Sequence, residues 1–259
     1  MMDAVVAITS RDNPLLARLR RLAQDPAAYR KMGAVWLEGD HLCRALRQRA
    51  LPAAQALVSE SAWQDGALRE LATWAPRVAL VPDALFAGVS ALESPAGIGF
   101  VLDAPLPAPL QAGVATVVLD RVQDAGNVGS ILRSAAALGV AQVIALKGTA
   151  ALWSPKVLRA GMGAHFALGL IEGVEAETLD ALGVPLLATS PHAAQTIDRV
   201  QLPRPCAWVV GHEGQGVQAA LLQRCALALR IPQPGGEESL NVAAATAICL
   251  YESLRQGAL

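Results

Sequence analysis

The sequence predicts an α/β chain in two parts. A small N-terminal α/β domain precedes a parallel sheet covered by helices. Three observations predict it. Short β-branched runs alternate with helical patterns along the whole length, and in the second half the runs are continuously apolar. Parallel strands buried on both faces read that way. The stretch DAPLPAPLQAG, from Asp103 to Gly113, interrupts the alternation with prolines that stiffen the chain. Finally, the 259 residues are 53% hydrophobic but only 4% aromatic, which suits helices packed closely on sheets with few large anchors. The expected division is a domain at 1–104, a linker at 105–113 and a domain at 114–259.

In the first part, NPLLARLRRLAQ reads as a helix with Asn13 as N-cap and Pro14 in the first turn. AVWLEG reads as a strand, and DHLCRALRQR as a helix capped by Asp40. AQALVSE, RVALVP and IGFVLD read as further strands, with a helix at GALRELATWA. In the second part, TVVLD, QVIALK, PLLATS, AWVVG and ALRIP are the expected strands. In open parallel sheets, ligands sit beyond the carboxyl ends of the strands. Four of these ends run into polar or glycine-rich loops: LDRVQDAGNVGS, ATSPHAA, VGHEGQGV and IPQPGGEESLN. One such loop would prove nothing; four at equivalent ends predict a pocket.

Bulk properties narrow the function. Net charge is −1, so the chain as a whole is no polycation. Charge is uneven, however: Arg11, Arg18, Arg20, Arg21, Arg30, Lys31, Arg44, Arg47 and Arg49 crowd the first fifty residues. That face either meets phosphates through counterion release or is ordinary solvated helix surface. The four cysteines, Cys43, Cys206, Cys225 and Cys249, are scattered without a CxxC pair, and read as free thiols of a reducing cytosol. Neither they nor the four histidines cluster as metal ligands, so no metal is expected. No apolar run is long enough to span a bilayer, and MMDAVVAITSRDN lacks the pattern of an export signal.

The loops carry the chemistry. In DAGNVGSILRSAAALGV, Asn127 precedes a helix whose apolar stripe is Val128, Ile131, Leu132, Ala135 and Ala136. Arg133 falls on the opposite half. Asn127 as helix cap and Arg133 as surface charge is one reading. The other aims both at an anionic or sugar-bearing substrate at the helix start. VGHEGQGV places Gly211, Gly214 and Gly216 around Glu213, which suits either a tight turn or close backbone approach to a flat ligand. It is not the GxGxxG dinucleotide fingerprint, and no GxxxxGK[ST] occurs. In GGEESLNV, Glu237, Glu238, Ser239 and Asn241 supply more polar groups than a cap needs. Ser239 is the expected cap of the final helix, leaving Asn241 in its first turn. His41, His165, His192 and His212 offer no catalytic pairing.

Together, DAGNVGSILRSAAALGV, VVGHEGQGV and IPQPGGEESLNVAAATAICLYE resemble, in order and spacing, the three motifs of the SpoU/TrmH class of the SPOUT methyltransferases. SPKVLRAGMGAHF is similar to the family's intermotif segment, and the N-terminal part to its ribosomal-L30e-like substrate-binding domain. The resemblance implies S-adenosylmethionine as methyl donor, a ribose 2′-hydroxyl of rRNA or tRNA as acceptor, a homodimer and a deep trefoil knot. It implies catalytic roles for Arg133, Asn127, Glu213, Ser239 and Asn241. The cofactor pocket it implies comprises Thr189, Ser190, Gly211, Glu213, Gly216, Ile231, Leu240, Asn241 and Ala243. RNA contacts fall to Arg11, Arg18, Arg20, Arg21 and Arg159. Two other functions compete: a non-catalytic RNA-binding or assembly factor on the same fold, and a nicotinamide oxidoreductase, against which the missing fingerprint counts.

Overall fold

A computed structural model describes residues 5–103, 108–235 and 239–257. Two compact units emerge. The first comprises the described residues up to 103 together with Trp153–Phe166, and the second the rest. The first holds a five-stranded sheet of order β1-β4-β3-β5-β2. Its strands are β1 Val6–Ala7, β2 Ala34–Glu38, β3 Gln55–Ser59, β4 Val78–Val81 and β5 Ile98–Asp103. β5 runs antiparallel to both β2 and β3. The helix Pro14–Gln24 starts as its sequence dictates: Asn13 Oδ1 accepts from Leu15 N–H at 2.9 Å, and Leu16, Leu19 and Leu22 are buried. Asp40 is not the cap of the helix Asp40–Gln48. Gly39, at φ +105°, takes that position and Asp40 lies in the first turn.

The unit boundaries also depart from the sequence division. Residues 104–107 lie outside the described residues. More informative is Trp153–Phe166, expected within the second domain but part of the first unit. Its helix Pro155–Gly161 is capped by Ser154 and buries Val157 and Leu158, with Leu158 and Arg159 beside Ala23, Trp36 and Leu42. An apolar helix stripe reveals that it needs a core, not which core.

The second unit holds a seven-stranded sheet of order β10-β12-β9-β11-β6-β7-β8, with every described pairing parallel. Its strands are β6 Thr116–Asp120, β7 Gln142–Leu146, β8 Gly169–Val174, β9 Leu186–Thr189, β10 Gln195–Thr196, β11 Ala207–Gly211 and β12 Leu227–Arg230. The five expected strands are present. β8 contains an acid and two glycines and pairs with a register shift, and β10 is two residues long, so neither is a continuous apolar run. Fully buried Val118, Ile144, Ala188 and Val209 form the centre of one core. On β11, fully buried Trp208 donates its indole N–H to Ser253 Oγ at 2.8 Å, fastening the final helix, Val242–Arg255, to the sheet.

Candidate active site

β12, β9, β11 and β6 are consecutive neighbours in the sheet, and all run parallel. Their carboxyl ends therefore share one edge, which brings the four loops together. The side chains there form a hydrogen-bonded chain across three of them. Asn241 Nδ2 donates to Asn127 Oδ1 at 2.9 Å, and Asn127 Nδ2 donates to Glu213 Oε1 at 3.1 Å. Each amide is oriented by what lies behind it. Asn241 Oδ1 accepts from the backbone N–H groups of Ala243 and Ala244, at 2.9 and 3.2 Å, so only its Nδ2 is left to face Asn127. Asn241 is thus the N-cap of the final helix, the role expected of Ser239. Likewise Asp124, not Asn127, caps the helix Ala125–Ala137, accepting from Asn127 N–H at 2.8 Å. With capping handled by Asp124, the Asn127 side chain is released for the relay.

Glu213 anchors the far end. Its carboxylate also accepts from the backbone N–H groups of Asp124, at 3.1 Å, and Gln123, at 3.3 Å. Partial desolvation pushes the carboxyl up, but the hydrogen bonds from Asn127 and from these backbone groups outweigh it and hold it below its ordinary value of 4.5. A depressed folded-state pKa adds stability above the unfolded value, and that stability is lost as pH falls through the folded one. Glu213→Gln is therefore expected to flatten the acid limb of the stability curve below pH 4.5. Urea midpoints of both proteins across that window check it, and parallel acid limbs would refute it.

Gly211 ends β11 where the chain turns back on itself. A Cβ there would lie 2.1 Å from the carbonyl carbon of Gly216 and 2.2 Å from Val217 N. Gly216 itself sits at φ +66°. His212 Nδ1 accepts from Gly214 N–H at 3.0 Å and Gln215 N–H at 3.3 Å, which closes the turn. Beneath it is a network the sequence reading missed. Asp120, 1% exposed at the end of β6, accepts from Gln218 N–H at 2.7 Å, Gln218 Nε2 at 3.1 Å and Arg121 Nε at 3.2 Å. Arg121, at φ +59°, continues to Gln215 Oε1 at 2.9 Å. An acid closing a continuous apolar strand was the available signal: a carboxylate there needs several donors.

A cleft opens beside this turn. Thr189, Ser190, Gly211, Glu213, Gly216, Ser239 and Leu240 line it, together with Gln233. Ile231 lines an adjoining recess that shares Thr189, Gln233 and Leu240. Asn241 and Ala243 do not line it; Val242 and Ala245 present the wall instead. Gly236, Glu237 and Glu238 lie outside the described residues. Arg133 is exposed on its helix, as expected, but makes no hydrogen bond to the relay among the described residues. In the first unit, Arg18 and Arg20 are partly tied to backbone carbonyls of Met32 and Arg11, at 3.3 and 2.9 Å, while Arg21 is exposed. Arg159 joins that neighbourhood beside Ala23.

The cleft fits S-adenosylmethionine chemically. Leu240 and Ala245 offer apolar wall, Thr189, Ser190 and Ser239 offer hydroxyls, and Gly211 lets the Gly216–Val217 backbone press in as one side of the cleft. Comparison with known proteins agrees. The SpoU rRNA Methylase family matches residues 115–251. An uncharacterised tRNA/rRNA methyltransferase of Synechocystis sp. is 32% identical, covering 97% of this chain and 94% of its own. The crystal structure of an RNA 2′-O ribose methyltransferase superposes with a TM-score of 0.81 at 31% identity, covering 98% of this chain and 100% of that one. An AdoMet-bound rRNA methyltransferase from Sinorhizobium meliloti superposes at 0.82 and 26% identity, covering 98% and 99%. Motifs, fold and cleft converge, and the chain belongs to the SpoU rRNA methylase family.

Proposed function

We propose that this chain transfers a methyl group from S-adenosylmethionine to a ribose 2′-hydroxyl of structured RNA, ribosomal or transfer. The observation that carries it is the Glu213–Asn127–Asn241 relay at the edge of the cleft. The bound donor supplies a methyl already made labile by its sulfonium, so the protein contributes chiefly proximity and orientation. Gly211, Gly216, Ile231 and Leu240, which line the cleft and its recess, would hold it together with Thr189 and Ser190. Asn127 orients the ribose, while Glu213 and Asn241 hold the Asn127 amide in one direction. Ser239 lies on the cleft wall.

A 2′-hydroxyl is a poor nucleophile until its proton leaves and its charge is stabilised. Arg133 brings a guanidinium, a planar group of N–H donors with no acceptor. It clamps the adjacent phosphate and favours the alkoxide. Arg133→Ala should lower transfer of labelled methyl to RNA by at least about 100-fold while leaving donor affinity unchanged by calorimetry. Equal activity would remove Arg133 from the mechanism, and RNA binding without donor binding would favour an assembly factor.

The first unit is proposed as an L30e-like RNA-binding domain, with Arg11, Arg18, Arg20, Arg21 and Arg159 meeting phosphates. A homodimer is proposed as well. Its support is the outer face of the final helix, where Ile248, Tyr251 and Leu254 are 40%, 61% and 47% exposed. Light scattering decides it: a monomer mass at micromolar concentration would reject the dimer. A trefoil knot belongs to the same proposal, supported by β12 lying between β9 and β10. So does a cytoplasmic location; no helix of the described residues is long and apolar enough to cross a membrane.

A further inference from the structure

Arg121, the first residue after β6, has a left-handed backbone at φ +59°. Among the described residues, Ala50 and Met162 are the other non-glycine residues with positive φ, and both close helices, where such a residue is an ordinary terminator. Arg121 follows a strand. A side chain in this conformation is strained, and the strain persists only where the surroundings fix the residue. Here they do. Its N–H donates to Thr149 Oγ1 at 3.1 Å, its Nε to Asp120 Oδ1 at 3.2 Å, and a terminal guanidinium nitrogen to Gln215 Oε1 at 2.9 Å. A Cβ at Gly148 would lie 3.1 Å from Arg121 Cγ, so that glycine leaves room for the stem.

Gln215 belongs to the turn that carries Glu213. The backbones of His212 and Gly216 pair at 3.1 and 2.8 Å, which closes Glu213, Gly214 and Gln215 into one loop. From that loop Glu213 reaches the N–H groups of Gln123 and Asp124 and the Asn127 amide, all in the segment that begins with Arg121. The geometry points to Arg121 as a positioning residue for methyl transfer: its guanidinium holds Gln215, and through it sets where the Glu213 carboxylate meets Asn127. This rests on the relay acting in the reaction, as proposed above. A loop held to its neighbour at one point can pivot, and a second point stops it; orientation of that kind is what a positioned group supplies to a reaction. Asp120 secures the root of the turn separately, by accepting from Gln218 N–H and Nε2. Loss of the Arg121 side chain therefore loosens Gln215 without freeing the whole turn.

Arg121→Gly tests it, because glycine takes the left-handed backbone without strain. That relief offsets the lost pair with Asp120, so the melting temperature should stay within a few degrees of the parent's. Transfer of labelled methyl from saturating S-adenosylmethionine to unmodified ribosomal and transfer RNA should fall about tenfold, the worth of one well-made hydrogen bond. Gln215→Ala should lose as much, and the double variant no more than either, because both changes break one link. Gln215→Glu keeps an acceptor for the guanidinium and should keep most of the rate. A second readout needs no turnover: by NMR, the Asn127 side-chain amide should exchange with water faster in Arg121→Gly and in Gln215→Ala than in the parent. A parental rate in the Gly variant at saturating donor would overturn the assignment, as would losses that multiply in the double variant or amide exchange unchanged in both single variants. If the parent itself transfers no methyl, the proposed function falls, and the amide exchange alone decides the clamp.

Discussion

Asn127→Ala is expected to cut methyl transfer by about 100-fold, the usual penalty for misplacing a positioned group by an ångström. The loss should fall on kcat, with little change in donor affinity. Asn127 joins three loops: its Oδ1 accepts from Asn241 and its Nδ2 donates to Glu213. Without it, the Glu213 carboxylate keeps its backbone donors from Gln123 and Asp124, and Asn241 keeps its capping bonds. The fold therefore survives while the amide proposed to orient the ribose is gone. Asn127→Asp sharpens the test. Aspartate has nearly the same shape and still accepts from Asn241, but it has no N–H to offer Glu213 and sets a second carboxylate against it. It should be as poor as Ala. Full activity in the Asp variant would mean that amide direction is irrelevant to the reaction.

Gly211→Ala should be the most disruptive single-methyl change in the second unit. Its new Cβ would sit 2.1 Å from Gly216 C and 2.3 Å from Gly216 O, both backbone atoms that cannot rotate aside. The turn must open, at a cost on the order of 3 kcal/mol, or roughly 10 °C in melting temperature for a chain of this size. Opening it also displaces the wall that Gly211 and Gly216 share with the cleft, so donor binding should be lost. Gly214→Ala is the control: its Cβ would meet only His212 ring atoms, at 3.9 Å, and its melting temperature should hold. Thermal scans with and without S-adenosylhomocysteine read both effects. A Gly211→Ala protein that melts like the parent and is still stabilised by the ligand would show that close approach is not what the glycine is for.

Much of this site was legible because its signals are local. Continuous apolar runs mark β6, β7, β9, β11 and β12, and polar loops at their carboxyl ends mark an edge. Parallel pairing alone then brings Asn127, Glu213 and Asn241 into one neighbourhood. What was misread turned on one to three positions. Asp124 and Asn127 can both cap a helix, as can Ser239 and Asn241; the backbone path into the helix chooses between them. That choice decides which amide is spent on the helix and which is free for chemistry. Asp120 and Gln218 were passed over because their hydrogen bonds join residues 98 apart.

The sequence by itself determined the strand–helix alternation, the parallel character of the second sheet, the loops that carry polar chemistry and the family those loops belong to. Periodicity, burial pattern and glycine placement are written residue by residue, so they need no knowledge of distant partners. Tertiary structure alone decided that Trp153–Phe166 packs with the first unit, that Gly211 is pressed against Gly216, and that Asp120 finds its donors on Gln218. Each of these depends on which surfaces meet after folding, and a stripe or a glycine looks the same in sequence whichever neighbour it finds.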